Sequence, residues 1–450
     1  MADTVTDGER EAEEWGEVDS LLTAYARLVD QAGQQSLSVE SAREYIAELL
    51  LLGPPGGLYG YNTEPAVPRL SSSELEDLRT ECLDLEEAGG VEQFELEVEE
   101  EMDDAVRKSA NISSTDVLRG MDMQGIPWHS LQFRRSVYRS ERLATFDSFR
   151  NLTTPLSELD PLVQPVAMES GFFRFTHTHR RVHCTYAHFQ LRRLLWCTGS
   201  NSLYYMQNHA LHHYYVPTGR VRTVMDLRGN AFAVGRTTVG TMAVGHGLCV
   251  AGGFRGQVVA TRLGDGSTAF ARRVSLAEDA IVNHLDVLPD SQGTVCIYSS
   301  CNDEFVRVLN AESGATMLQT KYDWCVNATA LSPDGRILAV TGDSCSSLLV
   351  EASSGVKIAS LPGHRDYNFS CCWVAGSSSP LVATGGQDRC VLMYDPRFTS
   401  QPLFALRGKM GAVRSITPSP DGRYLVVGES ADFARVYDVG KQYQTAQEID

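Results

Sequence analysis

Residues 361–397 read LPGHRDYNFSCCWVAGSSSPLVATGGQDRCVLMYDPR and carry the strongest structural signal in the chain. They open on Gly363-His364 and close on Tyr394-Asp395. Two short apolar runs, separated by a turn rich in Ser and Pro, lie between these pairs. A Gly-His pair followed by strands and an aromatic-Asp pair is typical of one blade of a β-propeller. This stretch therefore predicts an all-β fold made of repeated blades.

The ends of the predicted strands recur along the chain. The triplet MYD at 393–395 has counterparts in VLN, LVE and VYD, which begin at 308, 349 and 436 and lie 41 to 44 residues apart. A period of about 40–45 residues is expected of propeller blades. We expect six groups of strands, near residues 171–216, 221–263, 274–310, 316–352, 358–396 and 402–439.

A repeated pentapeptide supports the same periodicity. SPDGR occurs at 332–336 and again at 419–423, each time directly before an apolar run. Pro in the second and Gly in the fourth position of a turn favour type I geometry. Each SPDG therefore predicts a tight turn between two antiparallel strands. Six or seven such repeats take about 300 residues as one unit, which leaves a long N-terminal region in a chain of 450 residues.

The stretch at 361–397 resembles the WD40 repeat family, with Tyr394 where that family usually has Trp. In the family, a His bridges a turn Asp and a strand Ser or Thr, which in turn reaches the Trp. The matching positions here are His364, Thr384, Asp388 and Tyr394. The resemblance implies that this set is a buried structural network and not a catalytic triad. Because a phenol lacks the indole N–H, it also implies that the network is short of one donor.

Three further segments narrow the resemblance. GMDMQGIPW at 120–128, HFQLRRLLW at 188–196 and VAGGFRGQ at 250–257 are similar to a family of plant and fungal transducin/WD40 repeat-like proteins. The likeness covers residues 110–450 and implies no particular biochemical activity. Members continue for one more blade, so the resemblance favours a propeller that is incomplete at its C-terminus. A ring of six blades, or a seventh blade with strands from 110–170, are the open alternatives, since an unclosed ring leaves an unpaired edge strand.

Charge divides the chain into two parts. Residues 1–110 hold 28 acidic and 7 basic side chains, while the other 340 residues hold 29 acidic and 32 basic ones. The net charge of −18 therefore belongs to the N-terminal region, and bulk charge predicts no nucleic-acid binding. No apolar run approaches the roughly 20 residues of a membrane span, and the acidic N-terminus is unlike a secretory signal. Eleven Cys without a CxxC pair predict reduced core thiols in the cytoplasm or nucleus.

The sequence predicts four regions. Residues 1–56 contain two short stretches with helical apolar spacing and are expected to form amphipathic helices. Residues 57–109 form an acidic linker, in which 81–104 hold twelve acids and no base. Such a block is expected to be disordered and solvated, the alternative being an acidic docking or activation segment. Residues 110–170 predict an extended arm, and 171–450 the propeller.

One motif at the end of the central stretch suggests a docking function. Tyr394-Asp395-Pro396-Arg397 resembles the WDxR box with which many WD40 proteins bind the propeller adaptor of cullin-type ubiquitin ligases. The resemblance implies that Asp395 holds the turn and that Arg397 presents a planar fork to an acceptor on the partner. Tyr in place of Trp and Pro at the variable position depart from the pattern. The alternative is an ordinary Arg after a strand.

A histidine-rich segment raises the question of a metal site. His177, His179, His183 and Cys184 have the spacing HxHx₃HC, but structural zinc sites usually pair ligands from two hairpins, and no second pair is close in sequence. We therefore expect exposed strand histidines and no metal. Nearby bases could instead hold the acidic block 81–104 by charge complementarity; these are Arg174, Arg180, Arg181, Arg192 and Arg193.

These observations favour a non-catalytic scaffold for protein–protein interaction. The narrower hypothesis is a substrate receptor of a cullin-type ubiquitin ligase. The competing hypothesis is an enzyme with a site in the central channel of the propeller, which would need acids, bases or metal ligands converging there. The chain contains no P-loop, Rossmann, HExxH or kinase motif, so no cofactor is expected.

Overall fold

A computed structural model describes residues 111–131, 133–169, 171–180, 182, 184–185, 193–228, 234–235, 237–277, 279–374 and 379–449. The helices predicted for 1–56 and the acidic linker predicted for 57–109 lie outside these residues. Within the described part of the chain, no helix is long and apolar enough to cross a membrane.

Short elements precede the propeller. They are β1 (Ile112–Ser113), α1 (Ser114–Leu118), α2 (Arg135–Thr145), a 3-10 helix (Leu156–Leu162), β2 (Ala167–Met168) and β3 (His177–Thr178). α1 begins at a capping box, in which the Ser113 hydroxyl accepts from the Asp116 amide at 3.3 Å and the Asp116 carboxylate accepts from the Ser113 amide at 2.9 Å. This reciprocal pair satisfies amide groups that the helix itself leaves open.

The rest of the described chain forms six antiparallel sheets, each built from four strands that are consecutive in sequence. We call these sheets blades. Blade one contains β4 (Leu195–Gly199), β5 (Ser202–Gln207), β6 (Ala210–Tyr215) and β7 (Arg220–Asp226). Blade two contains β8 (Val239–Gly245), β9 (Leu248–Gly253), β10 (Gln257–Arg262) and β11 (Thr268–Arg273). Blade three contains β12 (Val282–Pro289), β13 (Val295–Cys301), β14 (Phe305–Asn310) and β15 (Thr316–Lys321).

Blade four contains β16 (Val326–Leu331), β17 (Ile337–Gly342), β18 (Ser347–Glu351) and β19 (Lys357–Leu361). Blade five contains β20 (Asn368–Val374), β21 (Leu381–Gly386), β22 (Cys390–Tyr394) and β23 (Phe404–Arg407). Blade six contains β24 (Val413–Pro418), β25 (Tyr424–Glu429), β26 (Ala434–Asp438) and β27 (Thr445–Ile449). The expected all-β propeller is thus confirmed, with six four-stranded blades.

Both SPDG turns join antiparallel strands, as predicted. The turn at 332–335 links β16 to β17, and its Gly335 amide donates to the Ser332 carbonyl at 2.8 Å. Gly335 has φ +71°, a left-handed conformation that glycine adopts without steric cost. Because strands in each blade run up and down in order, the first and third turns of every blade lie at the same end of the sheet.

The observed blades are shifted by one strand relative to the predicted strand groups. The groups 316–352 and 358–396 each begin with a strand, β15 or β19, that is hydrogen-bonded into the preceding blade. Sequence periodicity marks the repeat but not the partner of its first strand. That strand forms the outer edge of one blade just before the chain enters the innermost strand of the next.

The core lies between neighbouring blades. Ile416 and Leu425 of blade six pack with Cys372 and Met393 of blade five, and all four are buried. Burying a large aliphatic side chain contributes about 1.5–3 kcal/mol relative to leaving it exposed. The alternating apolar runs of the sequence therefore stabilise the stacking of blades as well as the single sheets.

The segment before blade one runs along blade six. β2 pairs in parallel with β27 and adds a fifth strand to blade six. The Phe172 and Phe173 rings then lie 5.5 Å from the Tyr424 ring of that blade, and the His179 ring lies 5.1 Å from Tyr214 of blade one. Among the described residues the arm thus contributes an edge strand and the small β1–β3 sheet, and no four-stranded seventh blade.

Candidate functional site

A buried polar network holds the turn between β21 and β22 of blade five. His364 hydrogen-bonds through Nδ1 to the Asp388 carboxylate and through Nε2 to the Thr384 hydroxyl, both at 2.8 Å. The His364 and Asp388 side chains are fully buried, and the Asp388 carboxylate also accepts from the Arg365 amide at 2.8 Å. The structure therefore brings these three predicted residues together.

The environment of Asp388 favours its ionised form. Burial by itself raises the pKa of this carboxyl, but the His364 imidazole and the backbone amides of Arg365 and Cys390 lower the pKa by more, so the net shift is downward. A hydrogen-bonded carboxylate in such a site is stable only while its partners stay in place. Because no atom of this pair reaches solvent, the arrangement is suited to holding the turn and not to reacting with a substrate.

Tyr394 is also fully buried, and its phenol has a different partner from the one implied by the resemblance. Its hydroxyl donates to the Pro362 carbonyl at 2.9 Å, which ties β22 to the segment that precedes His364. The phenol thus donates to a backbone acceptor outside the set of His364, Thr384 and Asp388, and the expectation that this set is short of one donor stays a prediction. Burial raises the pKa of Tyr394, which keeps the hydroxyl as a donor.

The predicted docking box forms a closed turn after β22. The Arg397 guanidinium donates to the Asp395 carboxylate through Nε at 2.9 Å and through Nη2 at 2.6 Å, and the Arg397 amide donates to the same carboxylate at 2.9 Å. These bonds lower the pKa of Asp395 to about 2. The pair fixes the direction of the Arg397 side chain, which is 54% exposed.

An apolar surface adjoins this turn. Phe398, which follows Arg397 directly, is 70% exposed, and Leu403 is 51% exposed. Both lie in the connection between β22 and β23, at the same end of the blades as the SPDG turns of blades four and six. Sequence reasoning missed them, because an aromatic residue after a strand reads equally well as part of the core.

The histidine-rich segment does not form a metal centre among the described residues, which contain no group of three His, Cys, Asp or Glu side chains that could hold a metal ion. His177 and His179 lie with their Nε2 atoms 2.5 Å apart. Cys184 lies elsewhere, with its thiol donating to the Leu194 carbonyl at 3.5 Å, and burial raises its pKa. His183 lies outside the described residues.

A small pocket with a mainly apolar surface opens in the central channel, where sequence analysis placed no site residue. The space between its lining atoms is about 240 Å³ and includes open solvent. Arg193, predicted to hold the acidic block, instead reaches this pocket and donates to the Asp286 carboxylate at 2.7 Å. His284 Nε2 lies 3.8 Å from the same carboxylate. The acidic block itself lies outside the described residues.

A β-bulge recurs in the innermost strands of blades two to six. The register skips one residue at the second position of each strand; the skipped residues are Gly240, Asn283, Asn327, Phe369 and Arg414. Bulges re-aim side chains, often beside functional sites. The Asn283 amide donates to the Val326 carbonyl and the Asn327 amide to the Asn368 carbonyl, both at 2.9 Å, so each side chain ties one blade to the next.

Comparison with known proteins agrees with this architecture. Residues 355–395 and 400–438 match the family described as WD domain, G-beta repeat. The ribosome biogenesis protein YTM1 of Pyricularia oryzae is 28% identical over 132 residues, which cover 29% of this chain and 27% of that protein. The nuclear distribution protein PAC1 of Coccidioides posadasii is 25% identical over 173 residues, covering 34% of this chain and 36% of that protein. The chain thus matches less than half of the length of these curated relatives.

One similar solved structure is the WD40 β-propeller domain of Doa1, which is 15% identical to this chain with a TM-score of 0.43. The match covers 53% of this chain and 76% of the Doa1 chain. The closer likeness to plant and fungal transducin-like proteins stays a prediction. Each matched repeat contains the last strand of one blade and the first three strands of the next, which are blades four and five for 355–395 and blades five and six for 400–438. Two repeats of this chain, at residues 355–395 and 400–438, thus match the WD40 repeat family.

Proposed function

We propose that this protein is a non-catalytic interaction scaffold of the cytoplasm or nucleus that docks on the propeller adaptor of a cullin-type ubiquitin ligase. The docking element in this proposal is the turn Tyr394-Asp395-Pro396-Arg397. Other proteins held elsewhere on the propeller would then be the substrates that it presents. The finding that carries the proposal is the rigid and exposed Arg397 beside the exposed Phe398.

The geometry of the turn supports docking. Asp395 holds the Arg397 side chain through two hydrogen bonds, so little conformational entropy is lost when a partner binds. Arg and aromatic residues are also the side chains most often found at the energetic centres of interfaces. An exposed Arg–Phe pair on one tight turn combines both properties.

Binding is favoured over catalysis by the state of the polar groups. The His364–Asp388 pair is sealed from solvent, and the Asp286 carboxylate in the channel is already paired with Arg193. WD40 relatives whose names state a role include a ribosome biogenesis protein and a nuclear distribution protein, which is compatible with assembly functions in the nucleus or cytoplasm. The free cysteines of the described residues agree with a reducing compartment.

Affinity purification with quantitative mass spectrometry tests the proposal. Wild type is compared with Arg397→Ala and with Arg336→Ala, which removes an exposed Arg from an SPDGR turn at the same end of blade four. We expect the adaptor to co-purify with wild type and with Arg336→Ala, and to fall at least about tenfold with Arg397→Ala, as for the loss of an interface hot spot. Absence of the adaptor from all three samples would refute the docking role, and the remaining partners would define a scaffold of another assembly.

A further inference from the structure

The channel pocket lies at the start of the innermost strands, at the end of the blades opposite the docking turn. Residues from four blades surround it, together with the segment before blade one. Its polar lining comes from Arg193, His284, Ser370, Arg414 and Ser415. The docking turn and this pocket are therefore separate surfaces, and each can be tested without the other.

Arg414 is the residue that sets the pocket apart. It occupies the bulge position at which blades three and four have an Asn that ties one blade to the next. Its guanidinium carbon lies 4.0 Å from the centre of the Phe369 ring. Its Nη1 atom is buried and has no hydrogen-bond partner among the described residues. A buried donor without an acceptor costs free energy, so a group that supplies an acceptor would be bound favourably at this position.

The neighbouring carboxylates do not pair with Arg414. Asp286 is paired with Arg193 at 2.7 Å, and the Asp343 carboxylate accepts from the Asn327 amide at 2.7 Å. Arg414 makes no ion pair with any described residue. Burial lowers the pKa of Arg414 to about 10, an effect that attraction to Asp343 partly opposes. The guanidinium is thus charged near neutral pH and lacks a carboxylate of its own.

We infer that the channel pocket binds a carboxylate of a partner peptide, with the Arg414 guanidinium as the fork that receives it. A planar guanidinium matches a carboxylate in bidentate geometry. Ala328, Phe369 and Ile416 supply apolar walls, which suit the methylene stem of an acidic side chain.

Two sources of this carboxylate share the same chemistry, an Asp or Glu side chain and the C-terminus of a chain. N-acetylglutamate amide represents the first and N-acetylglycine the second. Their neutral isosteres are N-acetylglutamine amide and N-acetylglycinamide. Saturation-transfer NMR titrations of the full chain with these four compounds, and with inorganic phosphate, measure which group is bound.

Wild type is compared with Arg414→Gln, with Arg414→Lys and with Arg423→Gln, a control that changes an exposed Arg of the same blade outside the pocket. We expect one or both carboxylates to bind saturably to wild type and to Arg423→Gln, and neither neutral isostere to bind. Arg414→Gln should weaken binding at least about tenfold, and Arg414→Lys should retain part of it because the charge remains. Whichever carboxylate binds more tightly identifies the source.

The melting temperature of each variant provides a second readout. Because Arg414 lacks an acceptor in the free protein, Arg414→Gln should melt at the temperature of wild type or above it. A lower melting temperature would show that Arg414 is a structural clamp and would overturn the inference. Equal binding by Arg414→Gln, equal binding of the neutral isosteres, or binding of phosphate alone would overturn it as well.

Discussion

Asp388 shows how one carboxylate can organise a whole turn. It receives hydrogen bonds from His364 and from two backbone amides, and its side chain is fully buried. Each of these groups would lose a hydrogen bond if the carboxylate were removed, and His364 would keep only its bond to Thr384. At this scale the stability of blade five depends on completing the network more than on any single bond.

Asp388→Ala should therefore lower the free energy of unfolding by about 3–5 kcal/mol, the range for breaking a buried pair from one side. Urea denaturation at neutral pH measures this loss of stability. The control is Glu312→Ala, which changes an exposed acid and should cost less than about 0.5 kcal/mol. A cost as small as that of the control would show that the network does not hold the blade.

Asp388 also makes the stability of the fold depend on pH. The pKa of Asp388 is lower in the folded protein than its ordinary value, so its ionisation stabilises the fold above about pH 4. That contribution is lost as the pH falls through the folded pKa. Denaturation from pH 7 to pH 3 should show the difference between wild type and Asp388→Asn shrinking below about pH 4. A constant difference over that range would contradict the assignment.

Tyr394→Phe should cost about 0.5–1.5 kcal/mol, the net contribution of one hydrogen bond, because it removes the donor to the half-buried Pro362 carbonyl. The apolar contacts of the ring are kept, so the loss reports the hydroxyl alone. Thermal unfolding measures it, with Tyr215→Phe at a more exposed ring as the control. No change relative to that control would argue against the bond.

The sequence motif predicted some of these contacts but not others. His364, Thr384 and Asp388 lie at fixed offsets within one repeat, so the sequence could place them together. The partner of Tyr394 depended on the length of a side chain, which repeat spacing does not encode. Arg414 and Arg193 are more than two hundred residues apart in sequence, and only the arrangement of the blades around the channel places both in one pocket.

At the scale of elements, the arm before blade one packs against blades four to six. The 3-10 helix buries Leu159 completely, in a cluster with Leu361 and Tyr394. α2 is held by Arg139, which pairs with Glu448 at 2.6 Å, and by Arg142, which pairs with Asp432 at 2.8 Å. The Arg142–Asp432 pair is exposed on both sides and such pairs contribute about 0–1 kcal/mol, so the apolar contact is expected to dominate.

Leu159→Ala should destabilise the protein by about 2–5 kcal/mol, the cost of a cavity at a buried leucine. Leu118→Ala changes a leucine that is 87% exposed and should be near neutral. Urea unfolding and limited proteolysis of the arm provide the comparison. If both variants behaved alike, the arm would not be packed on the blades as described.

Element boundaries were harder to predict than element types. The alternating runs and the SPDG turns indicated strands and hairpins correctly, because these are local signals. The outer strands β15 and β19 were grouped with the wrong blade, because their hydrogen-bond partners precede them in the chain. Local pattern records that a residue is in a strand but not which strand lies beside it.

For the molecule as a whole, the two ends of the blades have different chemistry. One end carries the Arg397 turn with exposed Phe398, and the opposite end carries the channel pocket with Arg414. A scaffold needs at least two surfaces that can be occupied at once, and surfaces at opposite ends of a rigid propeller meet that need. The repeat architecture could be predicted from sequence, while these surfaces depend on which side chains the turns and bulges expose.

The most direct test of the docking function is the affinity of the purified chain for the purified propeller adaptor, measured by biolayer interferometry with wild type, Arg397→Ala and Arg336→Ala. The docking function predicts that Arg397→Ala raises the Kd at least about tenfold while Arg336→Ala changes it by less than about twofold. An Arg397→Ala protein that binds as tightly as wild type, or a wild-type protein that does not bind the adaptor, would contradict it.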